Sequence, residues 1–183
     1  MQKEIIIAGF GGQGVLFAGQ LMTYAAMDQG LHVTWIPSYG PEMRGGTANC
    51  TVIISDEEIG SPMVSRPSAV IAMNRPSLDK YEDIVKDGGV LVVNQSMVDR
   101  DVTRNDIQVV VVPANKIAEE LGEKRMTNMV LLGALLANMD ILPISAIEKA
   151  LHEHLPERHQ KLLGLNKHAL KEGSTFLVSP VAV

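Results

Sequence analysis

The sequence predicts an α/β protein, a three-layer α/β/α sandwich around a mostly parallel sheet. Three observations predict it. The apolar run Ile5-Ile6-Ile7-Ala8 passes straight into the glycine-rich stretch Gly9-Phe10-Gly11-Gly12-Gln13-Gly14. Short β-branched runs then alternate with helix-length segments along the first two thirds of the chain. The last third reads as helix after helix. Such alternation favours parallel strands joined by crossover helices that cover both faces of the sheet.

In chain order, residues 4–9 read as a buried strand and 13–29 as a helix that stops at Gly30. Residues 31–37 give a second strand, so the first 37 residues form one βαβ unit with the glycine loop at its first turn. Glycine and proline mark 39–46 as a loop. Thr47–Ser55 alternates and is rich in β-branched residues, the pattern of a half-exposed strand. A short return at Glu58 and Ile59 would give it an antiparallel edge partner. Residues 69–73 form a short apolar strand, 77–86 a helix and 89–94 another strand. The β-branched run at 107–112, interrupted only by Gln108, predicts a central strand.

Helices follow at 115–121, ended by Gly122, and at 127–139, apolar on nearly every face. Another, at 145–155, opens with the capping box Ser145-x-x-Glu148, and the last runs over 157–171 and stops at Gly173. In helix 127–139, Gly133, Ala134 and Ala137 permit close approach. Two readings stay open for it: burial against the sheet, or a subunit interface. No repeat, linker or low-complexity stretch divides the 183 residues, which form a single domain spanning 1–183.

Composition narrows the function. The net charge is -5 and aromatic residues make up 4%, which disfavours nucleic-acid binding on both electrostatic and stacking grounds. The longest apolar segment, 126–139, is too short to span a bilayer and carries Asn128 and Asn138. No basic region or cleavage site precedes the first strand, so a cytoplasmic protein is expected. The single cysteine, Cys50, excludes an internal disulfide and a cysteine-ligated cluster built by this chain alone. It reads as a small core residue. His152, His154 and His159 are spaced poorly for a shared ligand face, so no metal site is expected.

The glycine loop has two readings. Its backbone N–H groups and the following helix N-terminus suit an anion, or the loop is a tight turn that only packs. A nicotinamide site would place an acid about 20 residues onward, at the end of the second strand. That strand ends in Trp35-Ile36-Pro37-Ser38; Asp28 comes too early, and no arginine precedes Arg44. The dinucleotide reading weakens accordingly. More specific is the second loop, Ser38-Tyr39-Gly40-Pro41-Glu42-Met43-Arg44-Gly45-Gly46, at the carboxyl end of that strand. Its glycines and proline restrict the backbone, and Arg44 is placed to meet a carboxylate or phosphate unless it simply pairs with Glu42.

These two loops, together with Thr127-Asn128-Met129-Val130-Leu131-Leu132-Gly133-Ala134, closely resemble the gamma subunit of 2-oxoacid:ferredoxin (acceptor) oxidoreductases, the pyruvate/2-oxoglutarate/2-ketoisovalerate group. The resemblance covers essentially the whole chain. It implies the Rossmann-like fold of domain III of pyruvate-ferredoxin oxidoreductase. It also implies a cytoplasmic heterotetramer that oxidatively decarboxylates a 2-oxoacid to acyl-CoA, using thiamine diphosphate, Mg²⁺, iron–sulfur clusters and coenzyme A. The implied partners are alpha, beta and ferredoxin-like delta subunits, with ferredoxin reached through the complex.

The chain itself lacks the thiamine signature G-D-G…N, since Asp87-Gly88-Gly89 has no leading glycine, and it lacks cluster cysteines. It is therefore expected to bind none of these cofactors, and to have no activity, alone. The residues carried over as cofactor-binding or facing the active site are Gly9, Gly11, Gly12, Gln13 and Gly14 of the first loop. From the second come Ser38, Tyr39, Gly40, Pro41, Glu42, Arg44, Gly45 and Gly46, expected to wall the active-site cavity or the coenzyme A approach. No catalytic residue is assigned. The four-subunit style of chain points toward 2-oxoglutarate or branched-chain substrates. The alternatives are the small subunit of indolepyruvate oxidoreductase and a stand-alone nucleotide-binding oxidoreductase.

Overall fold

A computed structural model describes residues 1–40 and 45–178. Its six strands are β1 (Gln2–Phe10), β2 (His32–Tyr39), β3 (Thr47–Ser55), β4 (Ala69–Ala72), β5 (Val90–Asn94) and β6 (Gln108–Val112). The helices are α1 (Val15–Asp28), α2 (Arg75–Tyr81), α3 (Ala114–Glu120), α4 (Thr127–Asn138), α5 (Ile144–His154) and α6 (Leu163–Gly173). One sheet holds all six strands in the order β2-β3-β1-β4-β5-β6. The ladder is parallel from β1 through β4 and β5 to β6, while β3 runs antiparallel to both its neighbours.

The apolar strands are continuous because both faces are covered. Ile5 and Ile7 enter a core shared with α1, α4, α5 and α6; Ile6 and Ala8 enter a smaller one with Leu78 and Tyr81 of α2. Three layers result, with very unequal outer layers. Helix α4 settles its two readings: every residue from Thr127 to Leu136 is buried, sandwiched between the sheet and α6. Cys50 is fully buried, and burial pushes its thiol up to about 11.

Several expectations need correction. The opening βαβ unit is not a pair of neighbours, because β3 lies between β1 and β2. β3 runs antiparallel to both and pairs along its length with each. No strand forms at Glu58 or Ile59, since β3 already has a partner on each side. The run at 107–112 is an edge strand rather than a central one, with Val111 41% exposed. Only Val110 and Val112 face the large core, and a β-branched run does not reveal that its second side lacks a neighbour.

The capping box does not form. Pro143 is the N-cap of α5 and makes no side-chain cap bond, so Ser145 already lies inside the first turn. The last helix splits into a 3-10 stretch, Glu157–Leu162, followed by α6. Helix α2 starts two residues earlier than expected because Asn74 caps it through Ser77 N–H, with proline in its first turn.

Candidate functional site

At the carboxyl end of β1 the backbone must reverse within five residues, and glycine makes that possible. Gly12 (φ 99°) and Gly14 (φ 77°) both adopt left-handed conformations that a side chain would strain. Gly14 is required a second time, because a Cβ there would sit 2.4 Å from Asn128 Nδ2, which donates to Gly14 O at 3.1 Å. Gly14 is also the N-cap of α1 and supplies no side-chain cap. The first N–H groups of α1 therefore point at the loop with their partial positive charge uncompensated by a cap.

The second loop is joined to the first. Gly11 N–H donates to Gly46 O at 2.8 Å and Gly45 N–H to Gly11 O at 3.3 Å. These bonds extend the β1–β3 ladder past its last pair, Phe10 with Thr47. Gly45, at φ 79°, gives the turn that permits it. Between the loops opens a largely apolar cavity of about 400 Å³, lined by Phe10, Gly12, Phe17, Tyr39 and Thr47 among others. A second cavity, about 300 Å³, lies on the other side of Gly12, Gly14 and Phe17, toward Arg125, Asn128 and His159.

The residues expected at the site fall into four groups. Gly11, Gly12, Gly14 and Tyr39 line the first cavity, with Gly45 and Gly46 bonded to its wall. Gly9 and Gln13 turn inward: Gln13 Oε1 accepts from Phe10 N–H at 2.6 Å and packs where a Gly9 Cβ would be. Ser38 sits in β2 opposite Asn49, and Gly40 follows that strand. Pro41, Glu42 and Arg44 lie outside the described residues.

Sequence reasoning missed Phe10, Phe17 and Thr47 as lining residues, and Asn128 as a loop support. An asparagine in the first turn of an apolar helix was the available signal for the last.

Electrostatics leave the first cavity without a described side-chain cation. Arg125, beside the second cavity, is engaged by Glu123 through two contacts of 2.9 and 2.6 Å. That guanidinium draws the half-buried Glu123 carboxyl down to about 2. His152, His154 and His159 are not gathered: His154 stacks on Tyr24 at 4.1 Å, while His159 lines the second cavity. Among the described residues the one metal-sized group is the exposed trio Asp28, Glu153 and His154.

Two features fit a nicotinamide cofactor poorly. The end of β2, where the ribose would be held, is two strand spacings from β1, or about 9–10 Å, because β3 intervenes. The crevice between β1 and β4 is already occupied by Gln13. Thiamine and cluster ligands fare no better. Asp87, Gly88 and Gly89 form the turn before β5, at the amino ends of the strands and away from the glycine loop, and Cys50 is buried and alone.

Residues 4–176 match the model of the pyruvate ferredoxin/flavodoxin oxidoreductase family. The chain belongs to this family. Ketoisovalerate oxidoreductase subunit VorA of Methanothermobacter thermautotrophicus is 44% identical over 136 residues, 74% of this chain but 28% of that protein. The 2-oxoglutarate synthase subunit KorC of Methanothermobacter marburgensis is 41% identical over 163 residues, covering 85% of this chain and 88% of that one. The keto/oxoacid ferredoxin oxidoreductase gamma subunit from Geobacter sulfurreducens shares the fold with a TM-score of 0.83 at 32% identity, over 96% of this chain and 95% of that. The family thus extends over both loops and over α4, which supports Gly14 from below. No described helix is long and apolar enough to cross a membrane.

Proposed function

We propose that this chain is the gamma subunit of a cytoplasmic 2-oxoacid:ferredoxin oxidoreductase, working with alpha, beta and ferredoxin-like delta subunits. The observation that carries the reading is the ladder-joined pair of loops at the mouth of an apolar cavity, in a family member with no thiamine signature and one buried cysteine. Decarboxylation with thiamine diphosphate and Mg²⁺, and electron transfer through iron–sulfur clusters to ferredoxin, belong on this reading to the other subunits. This chain completes the wall of a shared site. Its uncapped α1 N-terminus suits an anionic group such as a coenzyme A phosphate, and Phe10, Phe17 and Tyr39 offer apolar surface beside it. Arg44, in the same loop as Gly45, adds a cation that can meet a carboxylate or phosphate. Likeness to KorC and VorA supports 2-oxoglutarate or a branched-chain 2-oxoacid as substrate.

Co-expression with the three partner subunits tests this. The complex is expected to reduce viologen dye when supplied with coenzyme A and either 2-oxoglutarate or 2-ketoisovalerate, and to lose that activity when this chain is omitted. Full activity without the chain would overturn the reading. So would calorimetric binding of NAD or NADP by the isolated chain, which favours a stand-alone oxidoreductase. Tyr39, 58% exposed at the cavity rim, probes the ligand directly. Tyr39→Ala is expected to raise the KM for coenzyme A roughly five- to tenfold, the worth of one aromatic contact of about 1–1.4 kcal/mol, with assembly retained. An unchanged KM removes coenzyme A from this cavity.

A further inference from the structure

Open α/β sheets admit ligands where the chain leaves two adjacent parallel strands toward opposite faces. In this sheet that point lies between β1 and β4, since α1 packs into the larger core and α2 into the smaller. The crevice is filled from within. A Cβ on Gly9 would lie 2.6 Å from Gln13 Oε1, 3.0 Å from Met73 Cβ and 3.0 Å from Val15 Cγ2.

The filling group is part of an ordered chain of carboxamides. Gln13 Oε1 accepts from Phe10 N–H at 2.6 Å and from Asn74 Nδ2 at 3.2 Å. Asn74 is 1% exposed, and its Oδ1 accepts Ser77 N–H at 3.0 Å, capping α2. Backbone donors at the two ends fix both amides. Phe10 demands an oxygen from Gln13, that oxygen demands the amino group of Asn74, and Ser77 takes the oxygen that remains. The strand end beneath is held too, by Asn94 Nδ2, which donates to Met73 O at 3.1 Å and to Asn115 Oδ1 at 2.9 Å.

We infer that Gln13 and Asn74 are positioning residues that lock the glycine loop onto the end of β4, closing the switch-point crevice so that a ligand meets the loop from the Phe10 and Tyr39 side and not from between β1 and β4. Phe10 transmits the lock: its N–H is bonded to Gln13 and the residue lines the cavity. The functional half of this inference rests on reading that cavity as the coenzyme A approach; the lock itself does not.

Asn74→Asp separates the two bonds. Aspartate keeps the oxygen that caps α2, loses the donor to Gln13 and sets a second oxygen against Oε1. Asn74→Ser is the neutral counterpart, a good cap too short to reach Gln13. In the assembled complex both variants are expected to speed amide hydrogen exchange in the peptide containing Phe10. They are also expected to raise the KM for coenzyme A roughly tenfold, with kcat within about twofold, as displacement of a positioned wall would do. Gln13→Met should give the same exchange and KM, and combining it with Asn74→Ser should add nothing, because one lock is removed either way. Unchanged Phe10 exchange in both Asn74 variants, or full additivity in the double variant, overturns the lock. Faster exchange with the coenzyme A KM unmoved in these variants and in Tyr39→Ala upholds the lock and rejects the coenzyme A reading instead.

Discussion

Gly173→Ala is expected to destabilise the fold by about 3 kcal/mol, at the upper end of overpacking costs, and to lower Tm by roughly 6–12 °C for a chain of this size. The reason is the crossing of α4 and α6, where each helix places a glycine under a carbonyl of the other. A Cβ on Gly173 would lie 1.8 Å from Val130 O, and one on Gly133 would lie 2.0 Å from Leu170 O. Both obstacles are backbone atoms, so no rotamer change relieves them. The helices must separate, and separation opens the fully buried contacts around Val130, Ala134, Ala169 and Leu170. Gly133→Ala should cost a similar amount. The double variant should cost much less than the sum, because the first methyl already forces the helices apart. Thermal melts followed by circular dichroism read all three. A change below 2 °C in either single variant would mean that the two helices do not approach this closely.

That crossing shows what a linear sequence discloses and what it conceals. Gly133 was legible as a point of close approach because it stands with Ala134 and Ala137 as a small residue in an apolar helix. Gly173 looked like a simple helix stop, since its partner lies more than forty residues away and leaves no local trace. The same division runs through the sheet. β1, β4 and β5 announce themselves by apolar runs buried on both faces. Neighbour order does not, because the insertion of β3 between β1 and β2 depends on where a loop returns the chain. Thr47–Ser55 was placed to the residue, yet its partners were not.

At the site, the left-handed turns at Gly12 and Gly14 were readable because only glycine serves there cheaply. The supports were not read. Asn74 carried a signal in the run Asn74-Arg75-Pro76-Ser77, a cap followed by a first-turn proline, which places the helix start and thereby Asn74 itself. Phe10 and Tyr39 line one cavity because β3 pairs with both β1 and β2 and backbone bonds of Gly11 with Gly45 and Gly46 join the loops, and no spacing rule reports such pairing.

Glu82, a buried carboxylate held below its ordinary pKa, makes stability depend on pH. Its side chain is only 4% exposed, in the 3-10 turn that follows α2. The chain from β5 to β6 has no helix to cover the second face, so an irregular segment does so, pinned to this carboxylate. Oε1 accepts from Thr103 N–H, from Thr103 Oγ1 at 2.7 Å and from Arg104 N–H at 3.3 Å, while Oε2 accepts from Arg100 Nη1 at 2.7 Å. Burial alone would raise its pKa; the Thr103 and Arg100 donors outweigh burial and hold it below the ordinary 4.5.

Glu82→Gln keeps the shape and one acceptor but turns an N–H₂ toward Arg100 or Thr103. A loss of about 2–3 kcal/mol at neutral pH is expected, the scale of hydrogen bonds to a charged group left unmade. The sign follows from linkage. A carboxylate whose folded pKa is depressed contributes its full stabilisation above the unfolded pKa, and that contribution fades as pH falls through the folded value. Denaturant melts should therefore show a constant gap between the native protein and the variant from pH 7 down to about 5. The gap should then close progressively below about 4.3, the pKa of a free glutamate. The difference isolates Glu82 from other acid-sensitive pairs such as Arg104 with Asp106, which both proteins retain. A gap that stays constant down to pH 3 would show that the segment after β5 is held by its apolar contacts, Val98 and Val102 against the smaller core, rather than by this buried charge.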